Sequence, residues 1–157
     1  MATKDVSAVD DTDGSGLRVA VVRTRWNPEI IGRLADGVAR TLAGLGVTDV
    51  ADVEVAGAFE IPFACRTIAS SVRVDAIVAI GAVIRGETTH YDIVSEECAR
   101  GLQDVQIQTG VPIGFGVLAT ENLTQAEARS EPAGGHNVGA DAAQVAVEMA
   151  LLARDWS

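Results

Sequence analysis

Residues 76–84 are apolar throughout apart from Gly81, with no polar alternation, the pattern of a central parallel strand covered on both faces. Directly downstream, over residues 91–108, Val94, Cys98, Leu102 and Val105 recur at intervals of three or four, as on one face of an amphipathic helix. The turn between them therefore joins the carboxyl end of a strand to the amino end of a helix. The same alternation begins earlier. Residues 17–22 form a short strand of the buried kind, and Asn27 is positioned as an N-cap with Pro28 at the first helical position. Ile31, Leu34, Val38, Leu42 and Leu45 then line one face of a helix that Gly44 and Gly46 help to end. A strand is expected over 53–56, and a helix opens at 57–62 and runs to about residue 71.

After the central strand and its helix, Pro112 precedes a further strand over 113–119. Closing helices are expected over 124–129 and 139–154, the second with Val145, Met149 and Leu152 on its buried face. The 130–137 segment carries Pro132, Gly134 and Gly135 and reads as a loop. Strands alternating with helices imply right-handed crossovers, hence an α/β/α three-layer sandwich around a four-stranded, mostly parallel, flavodoxin-like sheet. Residues 17–157 form one such domain, preceded by a flexible acidic tail at 1–16 that is rich in Asp, Ser, Thr and Gly.

A parallel sheet places the segments that follow its strands at one edge, where open α/β sheets bind ligands. Residues 25–27, 57–60, 85–90 and 121–122 should therefore share a cleft. The 86–90 turn carries His90, and the helix that follows offers free N–H groups and a dipole that favour anions.

Composition narrows the choice of partners. Hydrophobic residues make up 48% of the 157 and mean hydropathy is +0.23, which points to large subunit interfaces. Twelve basic against twenty-two acidic residues give a net charge of -10, which argues against nucleic acid and anionic membranes as partners. The 76–84 run is far too short to span a bilayer, and the first residues lack a basic-then-apolar signal, so a cytoplasmic location is expected. Cys65 and Cys98 match no metal or redox spacing and read as core thiols; no metal site is expected. The only lysine is Lys4, which excludes a Schiff-base lysine from the folded body.

Four motifs occur in order: Trp26-Asn27 after the first strand, Gly57-Ala58-Phe59-Glu60-Ile61-Pro62, Val83-Ile84-Arg85-Gly86-Glu87-Thr88-Thr89-His90-Tyr91-Asp92, and Phe115-Gly116-Val117-Leu118. In order and spacing the chain from Leu17 onward resembles the lumazine synthases of riboflavin biosynthesis. The resemblance implies a transferase that condenses 5-amino-6-ribitylaminouracil with 3,4-dihydroxy-2-butanone 4-phosphate to 6,7-dimethyl-8-ribityllumazine, phosphate and water. It also implies that no cofactor is used. The lysine count agrees, because the amine and the ketone both arrive on substrates.

Carried over by resemblance, Trp26 stacks on the pyrimidine; the alternative is a core tryptophan, against which its polar turn argues. Ala58, Phe59 and Glu60 grip the ribityl chain, although Glu60 alone also suits a first-turn acid. Ala82, Val83 and Ile84 lie along the bound substrate, and without the resemblance they are simply core strand. Glu87 and Thr88 bind phosphate, through main-chain N–H groups and the threonine hydroxyl. Arg129 supplies a phosphate-binding fork; on its own it reads as a solvated helix-end cation. His90 transfers protons, a task that suits imidazole near neutral pH. Phe115 and Arg129 come from the neighbouring subunit, in a homo-oligomer built of pentamers, singly or in multiples.

One departure stands out. The family continues after its arginine to Asn-Lys-Gly, the lysine lying near the heterocycle, where this chain has Asn137, Val138 and Gly139. Weaker uracil binding is expected, and His136 is a candidate to swing into the vacated space. Two alternatives to an active synthase follow: a catalytically weak lumazine- or flavin-binding paralogue, and a structural shell protein.

Overall fold

The computed structural model describes residues 11–71 and 73–157. Of the tail expected over 1–16, residues 1–10 lie outside the described residues. The chain then runs β1 (Arg18–Thr24), α1 (Pro28–Gly44), β2 (Asp49–Val55), a 3₁₀ turn (Ala58–Glu60), α2 (Ile61–Ser71), β3 (Ala76–Ile84), α3 (His90–Thr109), β4 (Ile113–Thr120), α4 (Leu123–Glu127) and α5 (Val138–Asp155). The four strands are parallel in the order β2-β1-β3-β4, with Val22 of β1 opposite Val53 and Ala79, and Ala79 opposite Phe115. This is the flavodoxin-like, three-layer arrangement expected from the alternation.

Strand periodicity separates two cores. Val19 and Val21 of β1 and Val78 and Ile80 of β3 face α1 and α5, where Leu34, Val38, Leu42 and Val147 pack with them. Ala20 and Val22, with Ile77 and Ala79, face α2 and α3 and meet Ile61, Cys65, Cys98 and Leu102. Leu34, Ile61, Ile77 and Ile80 are fully buried, and each such side chain contributes about 1.5–3 kcal/mol by leaving water. β3, with helices over both faces, is the strand whose sequence shows no alternation.

Two elements differ from expectation. β2 begins at Asp49, earlier than the expected residue 53, because the acids Asp49, Asp52 and Glu54 among its exposed positions interrupt any apolar run. Those acids pair with arginines of β1 and of the turn after it: Arg23 meets Asp52 at 3.0 Å, Arg18 meets Asp49 at 3.7 Å and Arg25 meets Glu54 at 3.8 Å. In α5 the buried face is Ala142, Ala143, Ala146, Val147 and Ala150, while Met149 and Leu152 are exposed and Val145 is half-buried. The reason is distance. A Cβ on Gly114 of β4 would stand 2.1 Å from the Ala142 main-chain oxygen, so helix and strand approach too closely for large side chains between them.

Candidate active site

The parallel sheet brings Thr24, Val55, Ile84 and Thr120, the last residues of the strands, to one edge. Main-chain bonds join the turns beyond them: the Arg25 N–H donates to the oxygens of Val55 (3.1 Å) and Ala56 (3.2 Å), and the Arg85 N–H donates to Thr120 (2.9 Å). Between the β1 and β3 turns the tie is a side chain. Asn27 is the N-cap residue with Pro28 first in the helix, as expected, but its side chain makes no cap bond and its backbone is left-handed, at φ 57°. Its amide Nδ2 instead donates to the Ala82 oxygen at 3.1 Å. β1 and β3 flank the point where strand order reverses, which is where open sheets of this kind hold ligands.

At that point Trp26 lies over the β2 turn. A Cβ on Gly57 would come within 3.1 Å of Trp26 Cδ1 and 3.4 Å of Glu60 Oε2, so glycine lets indole and carboxylate converge. Trp26 is 70% exposed and Phe59 is 59% exposed. Neither ring is a core ring, and both present free π-faces. Gly57, Ala58, Phe59 and Glu60 line an open cavity of about 320 Å³ together with His90, Ile93 and Val94. A larger depression of about 460 Å³ lies between α1 and β2, but its walls are mainly aliphatic, with Val21, Val38, Leu42 and Val50 among them.

His90 opens the twenty-residue α3, and its N–H donates to Thr88 Oγ1 at 3.3 Å. No partner among the described residues is present for the main-chain N–H groups of Gly86, Glu87, Thr88 and Thr89. Unpartnered N–H groups ahead of a long helix are donors of the type that hold anions. Glu87 and Thr88 are exposed there.

Phe115 and Arg129 do not join this cavity. Phe115 sits mid-strand, opposite Ala79, and lines a separate depression of about 200 Å³ with Ala99, Leu102 and Gln106 of α3. Arg129 follows α4, is exposed, and donates to the Gln125 oxygen at 2.9 Å. Val83 and Ile84 end β3 half-buried, on opposite faces of the sheet. Val138 packs against the α1/α5 core and its N–H donates to the Arg129 oxygen at 2.9 Å, a bond that ties the two ends of the 130–137 loop together. His136 does not swing toward the cavity; its Nε2 lies 3.4 Å from Asp141 Oδ2 in the first turn of α5.

Arg85 is a motif position to which the sequence assigns no role. Its guanidinium meets Glu121 at 2.7 Å and Asp92 at 3.3 Å and lies 4.2 Å from the centre of the Tyr91 ring. Hydrogen bonding to Glu121, above all, raises its pKa, and Asp92 adds to the effect. The arginine-acid spacing of 36 residues gives no local signal from which the contact could be read. Burial pushes the thiols of Cys65 and Cys98 up to about 12, which makes them inert as nucleophiles. Among the described residues no group of three or more His, Cys, Asp or Glu could hold a metal ion, and no helix is long and apolar enough to cross a membrane.

The sequence has close counterparts. A family model described as 6,7-dimethyl-8-ribityllumazine synthase matches residues 16–154. A protein of that name from Kineococcus radiotolerans is 46% identical over 151 residues, covering 96% of this chain and 93% of its own. One from Paraburkholderia phytofirmans is 47% identical over 143 residues (90% and 82%), and one from Cutibacterium acnes is 42% identical over 148 (94% and 86%).

Proposed function

The chain belongs to the 6,7-dimethyl-8-ribityllumazine synthase family, and we propose that it carries out the family's condensation with the residues gathered at the carboxyl edge of its sheet. It is a transferase of riboflavin biosynthesis. The observation that carries the assignment of roles is the cavity in which Gly57, Ala58, Phe59 and Glu60 meet His90, beside a turn whose N–H groups are unpartnered among the described residues.

The reaction asks little covalent chemistry of the protein. The uracil's amine attacks the butanone's carbonyl carbon and water leaves to give an imine; loss of a proton and of phosphate gives an enol that tautomerises to a ketone, and the ribityl-bearing nitrogen attacks that carbonyl to close the ring with loss of a second water. The protein holds the two substrates in register and moves protons. Trp26 stacks on the pyrimidine, Ala82, Val83 and Ile84 run alongside it, and Ala58, Phe59 and Glu60 take the ribityl hydroxyls. The N–H groups of 86–89, with the Thr88 hydroxyl, receive the phosphate. His90, one helical step from that turn, relays protons between the amine nitrogen and the departing oxygen.

A single chain leaves this site incomplete. Phe115 and Arg129 lie away from their own cavity and are available to a neighbour's, Arg129 to bind phosphate there. Phe63 and Ile107 are each 78% exposed and Trp156 is 85% exposed, apolar surface that subunit contacts would cover. The working unit is a pentamer, or a multiple of pentamers, in the cytoplasm. Incubation of the protein with both substrates, followed by lumazine absorbance and released phosphate, tests the function: acceleration of both over a protein-free control supports it, and an unaccelerated reaction contradicts it.

A further inference from the structure

We propose that Arg85 is a positioning residue for the phosphate-bearing substrate: held by Glu121, Asp92 and the Tyr91 ring, it closes the 86–90 turn into the shape that presents its N–H groups, without touching the phosphate itself. The proposal rests on the reading of that turn as the phosphate site.

The geometry is that of a clasp. Arg85 precedes the turn and its main chain is fixed to β4 through the bond to Thr120. Its side chain reaches over the turn to Tyr91 and Asp92 in the first turn of α3, so the two ends of the segment are pinned to each other. The other side of the guanidinium is bound to Glu121 at 2.7 Å, and the Glu121 N–H in turn donates to Gln125 Oε1 at 2.8 Å. The turn itself contributes little to its own shape. Apart from the Thr88–His90 contact its N–H groups are unpartnered among the described residues, and Gly86 has nothing within 4 Å of a would-be Cβ.

Charge excludes the simpler role. One guanidinium facing two carboxylates leaves the cluster net negative, which repels a phosphate dianion rather than attracting it. Nor does the clasp serve global stability: the three charged side chains are 37%, 45% and 57% exposed, a setting in which ion pairs contribute little. Closing a short segment costs little entropy, so a weak clasp is enough to select one shape of the turn.

Two substitutions separate the possibilities. In Arg85→Gln the KM for the butanone phosphate should rise roughly ten-fold, a modest misplacement of binding groups, with the KM for the uracil substrate and the melting temperature nearly unchanged. Arg85→Lys, which can reach the acids but not clamp them flat, should recover part of the loss. Glu121→Gln is decisive because the two roles predict opposite signs. A clasp loosens and KM for the phosphate substrate rises; an arginine that bound phosphate directly would be freed and KM would fall. Unchanged KM in Arg85→Gln, or both KM values rising together with a lost melting temperature, would also overturn the proposal. The wild type, assayed alongside, tests the underlying reading separately: if it makes no lumazine, that reading fails, and calorimetric titration of wild type and Arg85→Gln with inorganic phosphate still tests the clasp, which requires the variant to bind more weakly.

Discussion

The side-chain amide of Asn27 donates to the main-chain oxygen of Ala82 at 3.1 Å, joining the turn after β1 to β3 at the point where strand order reverses. Trp26 is the residue before it, so this bond sets where the indole stands over Gly57. Asn27→Ala removes the bond and places an alanine at φ 57°, and should cost about 2–3 kcal/mol in urea denaturation. Asn27→Gly keeps the left-handed backbone and should cost only about 1 kcal/mol. Both should raise KM for the uracil substrate.

The contact between α5 and β4 depends on absent side chains. Gly114→Ala would drive a methyl group into the Ala142 main-chain oxygen, which cannot swing aside as a side chain can, and should destabilise by about 3 kcal/mol or prevent folding. Gly32, exposed in α1 with nothing within 4 Å, is the control: Gly32→Ala should stabilise by about 0.5–1 kcal/mol through helix propensity. Thermal melts of the two variants check both signs.

Legibility in the sequence followed the range of the forces involved. β3, α1 and α3 could be read from local periodicity because each element's apolar pattern directly reflects the layers that cover it. The buried face of α5 could not: hydrophobicity points to Met149 and Leu152, whereas closeness to the β4 glycines selects alanines. The shared edge of the site followed from alternation alone, but not the left-handed Asn27 or the reach of Arg85 to Glu121. Those depend on where distant turns end up in space. The roles of Trp26, Phe59 and Arg129 came from family resemblance, since isolated residue types specify no ligand.

Cys65 and Cys98 hold their protons to about 12 when folded, against an ordinary 9.0. A raised acid pKa contributes stability that is fully present below the unfolded value and is lost as pH rises toward the folded one. Denaturation midpoints should therefore show no pH dependence from the thiols up to about pH 9 and fall between about 9 and 12. In Cys65→Ala/Cys98→Ala that fall should shrink. Iodoacetamide at pH 8 should label the wild type only after denaturation.

By its resemblance to the family, Val138 stands where a lysine is expected, and its N–H donates to the Arg129 oxygen across the base of the 130–137 loop. Val138→Lys should lower KM for the uracil substrate and cost about 1 kcal/mol, because it removes a half-buried valine from the α1/α5 core. An unchanged KM would show that this position does not reach the heterocycle.

The division of each site between two chains is the central claim, and co-expression of two defective subunits tests it most directly. One carries Trp26→Ala and Glu60→Ala, which disable the cavity of its own chain; the other carries Arg129→Ala, which disables what is given to the neighbour. Each alone should be nearly inactive. In randomly mixed rings roughly a quarter of the sites would pair an intact cavity with an intact donor, so activity should return to about that fraction of wild type. Mixed particles no more active than the separate variants would contradict a site shared between subunits.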